Sequence, residues 1–254
     1  GFGGQTPSTS TFSATETWNG TNWTETADLA TARASAGAAG SGNTSGLCIG
    51  GSPNPPGNAE EFTTTAAVGV WSTGGNLNTG RKVGGASGTQ TATVFFGGDG
   101  GPGRFALTEL YNGSNWTEVN DMNTAKGNTA GAGVTNTAAL AFGGFVPPRT
   151  AATENWNGTN WTEVNDLNTA RQSLAGAGTN TAALAFGGDT PPDSALTELW
   201  NGTNWTEVND LNTAREKLGG SGITNTAALA FGGKAPSVAN TELWNGTNWT
   251  EVND

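Results

Sequence analysis

The 254-residue chain has no histidine and only one cysteine, one methionine and one tyrosine. Without histidine it lacks the commonest general base and the commonest metal ligand, so any catalysis would have to run on carboxylates alone. The single thiol, Cys48, cannot form an internal disulfide and carries no signal about redox compartment. In the run Gly46-Leu47-Cys48-Ile49-Gly50-Gly51 it reads as a small buried apolar residue. Charge is also scarce: 12% of residues, 10 basic against 21 acidic, for a net charge of −11. An acidic surface repels phosphate backbones and anionic bilayers, so no nucleic-acid partner is expected. No apolar run approaches the length of about 18 residues that marks a spanning helix, so no membrane insertion is expected either. Residue 1 is Gly and opens inside a repeat, so the chain is expected to be a fragment of a longer one.

What the chain has instead is glycine, 41 residues of it, and a repeated sentence. The run WNGTNWTEVNDLNTAR occurs at residues 156–171 and again at 200–215, each time followed by small residues and then TNTAALAFGG. Glycine doublets begin at Gly3, Gly50, Gly97, Gly143, Gly187 and Gly232, spaced by 47, 47, 46, 44 and 45 residues. Trp23, Trp71, Trp116, Trp161, Trp205 and Trp249 keep the same beat. A disordered low-complexity segment has no reason to hold aromatics in register, so the chain is folded. Self-similarity at this period means stacked or ring-arranged units.

One copy resolves into four strands. Residues 174–179 (LAGAGT) are tiny; residues 181–188 (TAALAFGG) read as a buried strand ending at the doublet. Residues 189–194 hold two prolines, which bar them from a central strand. Residues 195–201 (ALTELWN) and 204–210 (NWTEVND) form the third and fourth strands, turning at Gly202-Thr203. This predicts a four-stranded antiparallel meander, the size of one propeller blade, with Trp200 opposite Trp205 and the tiny first strand at the crowded ring axis. A solenoid would show polar capping repeats at its ends, and none is visible. The expected fold is therefore all-β, a β-propeller occupying residues 1–254 as one domain.

The order of basic residue, apolar strand, Gly-Gly, variable loop, aromatic strand, Trp, Leu and Arg resembles the kelch repeat. Arg33, Leu47-Cys48-Ile49-Gly50-Gly51, Trp71, Leu77 and Arg81 carry the likeness, as do Arg171, Phe186-Gly187-Gly188, Trp200, Trp205, Leu211 and Arg215. The copies are shorter than the kelch period of about 50 residues. Trp156, Trp200 and Trp244 stand where the family more often has Tyr, and Tyr111 follows the family. The resemblance implies a ring of blades with the first strand innermost. It implies no activity, because fold does not fix function. Kelch-type copper oxidases use histidine and tyrosine ligands, which this chain cannot supply.

Residues 34–254 hold five complete strand sets, and residues 1–29 add the end of a second strand with a third and a fourth. A sixth blade thus lacks the equivalent of residues 211–230, and the expectation is six blades with one incomplete. If the ring is six-bladed, the incomplete blade is either completed by further strands or left with an open inner edge.

Candidate functional residues fall into two sets. The segments after each doublet (5–14, 52–60, 99–107, 145–153, 189–196 and 234–240) differ in length, charge and proline content on a constant frame, as a recognition surface does. Their candidate ligand contacts are Arg104, Phe105, Phe145, Arg149, Asp189, Asp193 and Lys234. The second set is the basic series Arg33, Arg81, Lys126, Arg171 and Arg215, which reads either as blade-to-blade ion pairs or as a ring of cations on the binding face. The predicted register also sets Glu198 against Glu207; strand twist, a basic side chain or a bound cation such as Ca²⁺ would relieve that repulsion. The Asn-Gly-Thr and Asn-Trp-Thr triplets at Asn201 and Asn204 match a glycosylation sequon, but the favoured reading is a hairpin turn, which asks for Asn and Gly at that place.

These features point to a non-catalytic recognition or structural module on a virion or extracellular surface, such as a tail fibre, decoration protein or adhesin. It would bind protein or glycan, need no cofactor or metal, and assemble with other virion chains or copies of itself. The alternative is an intracellular kelch-type adaptor that binds a peptide.

Overall fold

The beat of glycine doublets becomes a beat of sheets. A computed structural model describes residues 1–5, 10–53, 57–65, 68–101, 103–234 and 238–253, and every helix-length or strand-length element among them is a strand. Blade 1 has three strands, β1 (Phe2–Gln5), β2 (Thr11–Trp18) and β3 (Trp23–Glu25). Blade 2 has β4 (Gly37–Gly42), β5 (Ser45–Ile49), β6 (Ala59–Thr65) and β7 (Val68–Thr73). Blade 3 has β8 (Gly85–Thr89), β9 (Ala92–Phe96), β10 (Thr108–Tyr111) and β11 (Trp116–Val119). Blade 4 has β12 (Ala130–Thr135), β13 (Ala138–Phe142), β14 (Thr153–Trp156) and β15 (Trp161–Val164). Blade 5 has β16 (Ala175–Thr179), β17 (Ala182–Phe186), β18 (Thr197–Trp200) and β19 (Trp205–Val208). Blade 6 has β20 (Gly219–Thr224), β21 (Ala227–Phe231), β22 (Thr241–Trp244) and β23 (Trp249–Val252). Each is an antiparallel meander, and together they make a six-bladed β-propeller.

Side-chain size sorts the strands radially. The inner strands β4, β8, β12, β16 and β20 pack against one another in sequence around the axis. They approach so closely that a Cβ on Gly176 would lie 2.5 Å from the carbonyl oxygen of Gly131 in the previous blade and 2.6 Å from Phe142 Cζ. Only glycine fits there. The second strands, such as β17, are buried on both faces and carry the Leu and Phe of the core. The outer strands are shorter than the sequence suggests. Asn201 and Asp210 leave the ladder because their side chains are spent locally: Asn201 Oδ1 accepts from the amides of Thr203 and Asn204 at 2.9 Å, and Asp210 Oδ1 accepts from the Thr197 amide at 3.0 Å. The predicted register holds, with Trp200 opposite Trp205 and ring centroids 5.3 Å apart.

Neighbouring blades are joined by the fourth-strand Trp. Trp205 packs on Phe142 of blade 4 at 5.0 Å and donates its indole N–H to Thr153 Oγ1 at 3.1 Å. Trp249 does the same with Phe186 and Thr197, and Trp161 with Phe96 and Thr108. The ring closes on this contact: Trp23 of blade 1 meets Phe231 of blade 6 at 5.1 Å and donates to Thr241 Oγ1 at 2.9 Å. Trp116 is the exception. Blade 2 has Ala59 where the others have Thr, so this indole turns to the Gly75 carbonyl at 2.9 Å.

A second belt runs through the backbone. Two residues beyond each link cation the chain turns left-handed, at Ser35 (φ 58°), Val83 (52°), Asn128 (53°), Ser173 (55°) and Lys217 (55°). The amide of each donates to the carbonyl of the one before: Val83 to Ser35 at 3.0 Å, Asn128 to Val83 at 2.8 Å, Ser173 to Asn128 at 2.9 Å and Lys217 to Ser173 at 2.8 Å. The belt holds these positions in a conformation that non-glycine residues seldom adopt, tolerated best by Asn128 and worst by β-branched Val83.

Two outcomes follow for stability. Trp205→Ala removes a buried indole from the seam between blades 4 and 5 and should cost about 3–5 kcal/mol, read as a lower denaturation midpoint; an unchanged melt would contradict the packing described. Val83→Asn, which copies Asn128 of the next blade, should stabilise by about 1 kcal/mol by relieving the left-handed strain; a lower melting temperature would show that Val83 packing outweighs it.

Candidate binding face

The loops from second to third strands and the links from fourth to first strands emerge on one face. Short backbone bridges tie them together: Ala34 with Ser52, Lys82 with Asp99, Gly127 with Phe145, Gln172 with Asp189 and Glu216 with Lys234. Each pair joins the residue after a link cation to the residue after a doublet. Sequence reasoning singled out the second member of several pairs and missed the first. The signal was available, because the position after the cation is Ala34, Lys82, Gly127, Gln172 or Glu216 within an otherwise repetitive link.

Contacts then pass from loop to loop around the face. The Arg104 guanidinium of blade 3 lies over the Phe145 ring of blade 4, 4.3 Å from its centroid. Arg149 of blade 4 reaches Asp189 of blade 5 at 2.7 Å, and Gln172 Nε2 donates to the same Asp189 oxygen at 2.8 Å. Burial alone would raise the Asp189 carboxyl, but these two donors hold it below the ordinary range. Asp193 moves the other way, raised first by burial and then by the nearby Glu216 carboxylate. In blade 6, Lys234 lies 3.4 Å and Lys217 3.1 Å from buried Glu216. Phe105 folds over Gly100, where a Cβ would come within 2.1 Å of its ring. Arg104, Phe105, Phe145, Arg149, Asp189 and Asp193 are all half-buried, with Lys234 exposed. The structure therefore brings the loop candidates of blades 3 to 6 into one connected surface. Parts of the segments 5–14, 52–60, 99–107 and 234–240 (residues 6–9, 54–56, 102 and 235–237) lie outside the described residues.

The five link cations are elsewhere, and the expectation of a ring of cations on this face is corrected. Arg81, Lys126, Arg171 and Arg215 are fully buried and Arg33 nearly so. Each turns into its own blade and meets the third-strand glutamate: Arg33 with Glu60, Arg81 with Glu109, Lys126 with Glu154 at 3.3 Å, Arg171 with Glu198 at 3.2 Å and Arg215 with Glu242 at 3.0 Å. Arg171 also donates to the carbonyls of Gly187 at 3.1 Å, Leu196 at 2.5 Å and Ala185 at 3.3 Å, capping the ends of two strands. Burial depresses the pKa of Arg81, Lys126 and Arg171, and the partner carboxylates oppose it. The physical reason for the placement is satisfaction: a guanidinium offers five donors, and the strand ends present unpaired carbonyls to receive them.

The facing glutamates are resolved by the same pairs. Glu198 does stand opposite Glu207, yet Glu198 is buried on Arg171 while Glu207 is exposed. The second oxygen of Glu198 accepts from Asn168, from its amide at 2.7 Å and its side chain at 2.9 Å. Among the described residues no group of three Cys, Asp or Glu side chains is placed to hold a metal ion. Asn201 and Asn204 are both engaged in protein hydrogen bonds, Asn201 within its turn and Asn204 Oδ1 with Asn165 Nδ2 at 2.7 Å. Cys48 is buried, and burial pushes its thiol up to about 12.

No family model and no curated protein matches the chain. Fold and face together define its class: a six-bladed β-propeller whose repeated residues hold the blades together and whose blade-specific residues gather on one face.

Removing one partner of a buried pair leaves an uncompensated charge. Glu198→Gln should therefore cost about 3–5 kcal/mol, while Glu207→Gln at the exposed position opposite should stay within about 0.5 kcal/mol. Urea denaturation of the two variants checks this, and equal effects would contradict the assigned pairing.

Proposed function

We propose that this chain is a non-catalytic recognition propeller of kelch type, displayed on a virion or extracellular surface, which binds protein or glycan through its second-to-third-strand loops. The observation that carries the reading is the segregation of constant from variable residues. The doublets, tryptophans, cations and third-strand glutamates recur blade after blade and are consumed in holding the ring together. Arg104, Phe145, Arg149, Asp189, Asp193 and Lys234 belong to loops that differ from blade to blade, and they lie together on one face, half-buried apart from exposed Lys234. Aromatic and arginine side chains on a rigid frame suit an interface, since little conformational freedom is lost when a partner arrives. The lack of histidine and the structural use of the repeated glutamates support a non-catalytic role. The surface location rests on the Thr/Asn/Gly-rich, acidic composition and the near-identity of the blades.

Replacing residues 145–153 with residues 234–240 tests the reading. The swapped protein should lose or change its binding on an array of glycans and surface proteins, with a melt lowered by no more than about 1 kcal/mol, since the contacts it breaks are partly solvated. Substituting the Asn201 turn should instead lower stability and leave binding intact. Reversed behaviour would assign recognition to the opposite face.

A further inference from the structure

One outermost strand departs from the pattern that the other five share. β3, β11, β15, β19 and β23 each place an exposed glutamate on the rim of the ring, at Glu25, Glu118, Glu163, Glu207 and Glu251. An unpaired edge strand is a template for another strand, and a charge on it blocks that pairing. In blade 2 the register sets Thr73 opposite Glu60, as Glu118 stands opposite Glu109, so a threonine holds the blocking position. The whole of β7 (VGVWST) is uncharged, and among the described strands it pairs only with β6. It is also longer. The other outer hairpins turn directly after the aromatic pair, as at Trp200 and Trp205. β6 and β7 continue past Phe62 and Trp71 for three more pairs, Thr63 with Val70, Thr64 with Gly69 and Thr65 with Val68. At the rise of a strand this carries the paired backbone about 10 Å beyond the aromatic pair. The projection is braced at its base. Gly69 lies over the Phe62 ring, where a Cβ would collide with that ring and lie 2.8 Å from Thr26 Oγ1 of blade 1. Trp71 anchors the strand on Phe2 at 5.1 Å and donates to Thr15 Oγ1 at 3.1 Å. The rim contacts made elsewhere by Asn120, Asn165, Asn209 and Asn253 have no equivalent on either side of blade 2, because Ala27 and Gly75 hold the corresponding positions. Val70, Ser72 and Thr73 are exposed.

We propose that β7 is a self-association edge, on which a second copy of this chain adds its own β7 in antiparallel pairing and joins two propellers rim to rim. The occupant follows from charge. A twofold axis sets an edge against itself, so one patch serves both protomers. For β7 this brings no like charges together, whereas the edges that hold Glu118, Glu163, Glu207 or Glu251 would bring glutamate toward glutamate. Glu61, opposite Ser72 on β6, is engaged by the Tyr111 hydroxyl, which donates to its Oε1. At a net charge of −11 two copies repel over most of their surface, and β7 is the outer edge where that repulsion is least. Alternate residues of an edge strand turn their N–H and C=O groups away from the sheet, and a second edge satisfies them. Main-chain bonds then give the affinity, and Val70 and Thr73 add side-chain contact across the new pair. The β6–β7 hairpin projects on the side of the Asn201 turn, so the loops around Phe145, Arg149 and Asp189 stay free in both copies.

The test is sedimentation of the intact chain over a concentration series, with hydrogen exchange read at the β7 amides. A reversible monomer–dimer equilibrium is expected, with exchange at β7 slowing as the dimer fills. Thr73→Glu restores the charge that the other five blades carry. It should raise the dimer dissociation constant roughly tenfold or more, with the melt of the monomer unchanged. Val70→Lys should act in the same direction through a second residue. A chain that stays monomeric throughout would overturn the proposal. So would dimerisation unaffected by both substitutions, which would place the contact elsewhere. Protection of the β7 amides at concentrations where the chain is monomeric would also overturn it, because the edge would then be covered from within.

Discussion

Everything in this ring hangs on a cation buried between two blades. The backbone of Arg171 is gripped by the doublet of blade 4, and its side chain is driven into blade 5 to meet Glu198. A buried ion pair is a weak source of net stability, because desolvation of both partners offsets much of the attraction. Its value here is geometric. Three strand-end carbonyls and a carboxylate fix the guanidinium, so the angle between successive blades cannot drift without leaving charged groups unpaired. Lys126 makes the same seam with fewer donors, reaching Glu154 at 3.3 Å and the Ala152 carbonyl at 3.1 Å. An ammonium holds such a site as a point charge rather than a fork.

The apolar contacts work with that constraint rather than replacing it. Each fourth-strand indole spans a seam with its ring on a Phe and its N–H on a Thr, so one side chain gives both burial and direction. At the outer rim, Asn120, Asn165, Asn209 and Asn253 reach across to the turn of the following blade, and Asn253 closes the circle onto Thr21 and Asn22. Among the described residues the sixth seam thus has its outer and middle contacts, with three strands in blade 1 where the other blades have four.

Much of the frame was legible because it is written in residue types with narrow physical uses. Paired glycines, periodic tryptophans and tiny first strands led to blades, radial order, the Trp200–Trp205 register and the incomplete first blade. The depth of the cations was not legible. Arg171 sits in a polar link, Asn168-Thr169-Ala170-Arg171-Gln172-Ser173, that reads as surface, and only the tertiary arrangement carries it under the loops. The left-handed belt left no local trace either. Its positions hold Ser, Val, Asn, Ser and Lys, none of them Gly, because neighbouring blades impose the conformation by hydrogen bonding instead of the residue choosing it. In the candidate site, loop variability marked Phe145, Arg149 and Asp189. Their link partners Gln172 and Glu216 escaped, since one divergent residue inside a repeat carries little weight until the bridge is seen.

The same division explains how the face is free to differ from blade to blade. At Gln172–Asp189 and Glu216–Lys234 the bridge is made by backbone, and the side chains above it are polar and complementary without being identical. Lys82 opposite Asp99 follows the same rule with the charges placed the other way round from Glu216 and Lys234. Backbone bridges fix where the loops start, and the buried cation fixes how the blades meet. Neither depends on which side chains the loops present. A change at the face is therefore felt by its immediate neighbours across a partly solvated contact worth about 1 kcal/mol or less, while a change at the seam is felt by the whole ring. Duplication of such a blade copies the costly part unchanged and leaves the exposed part open to variation.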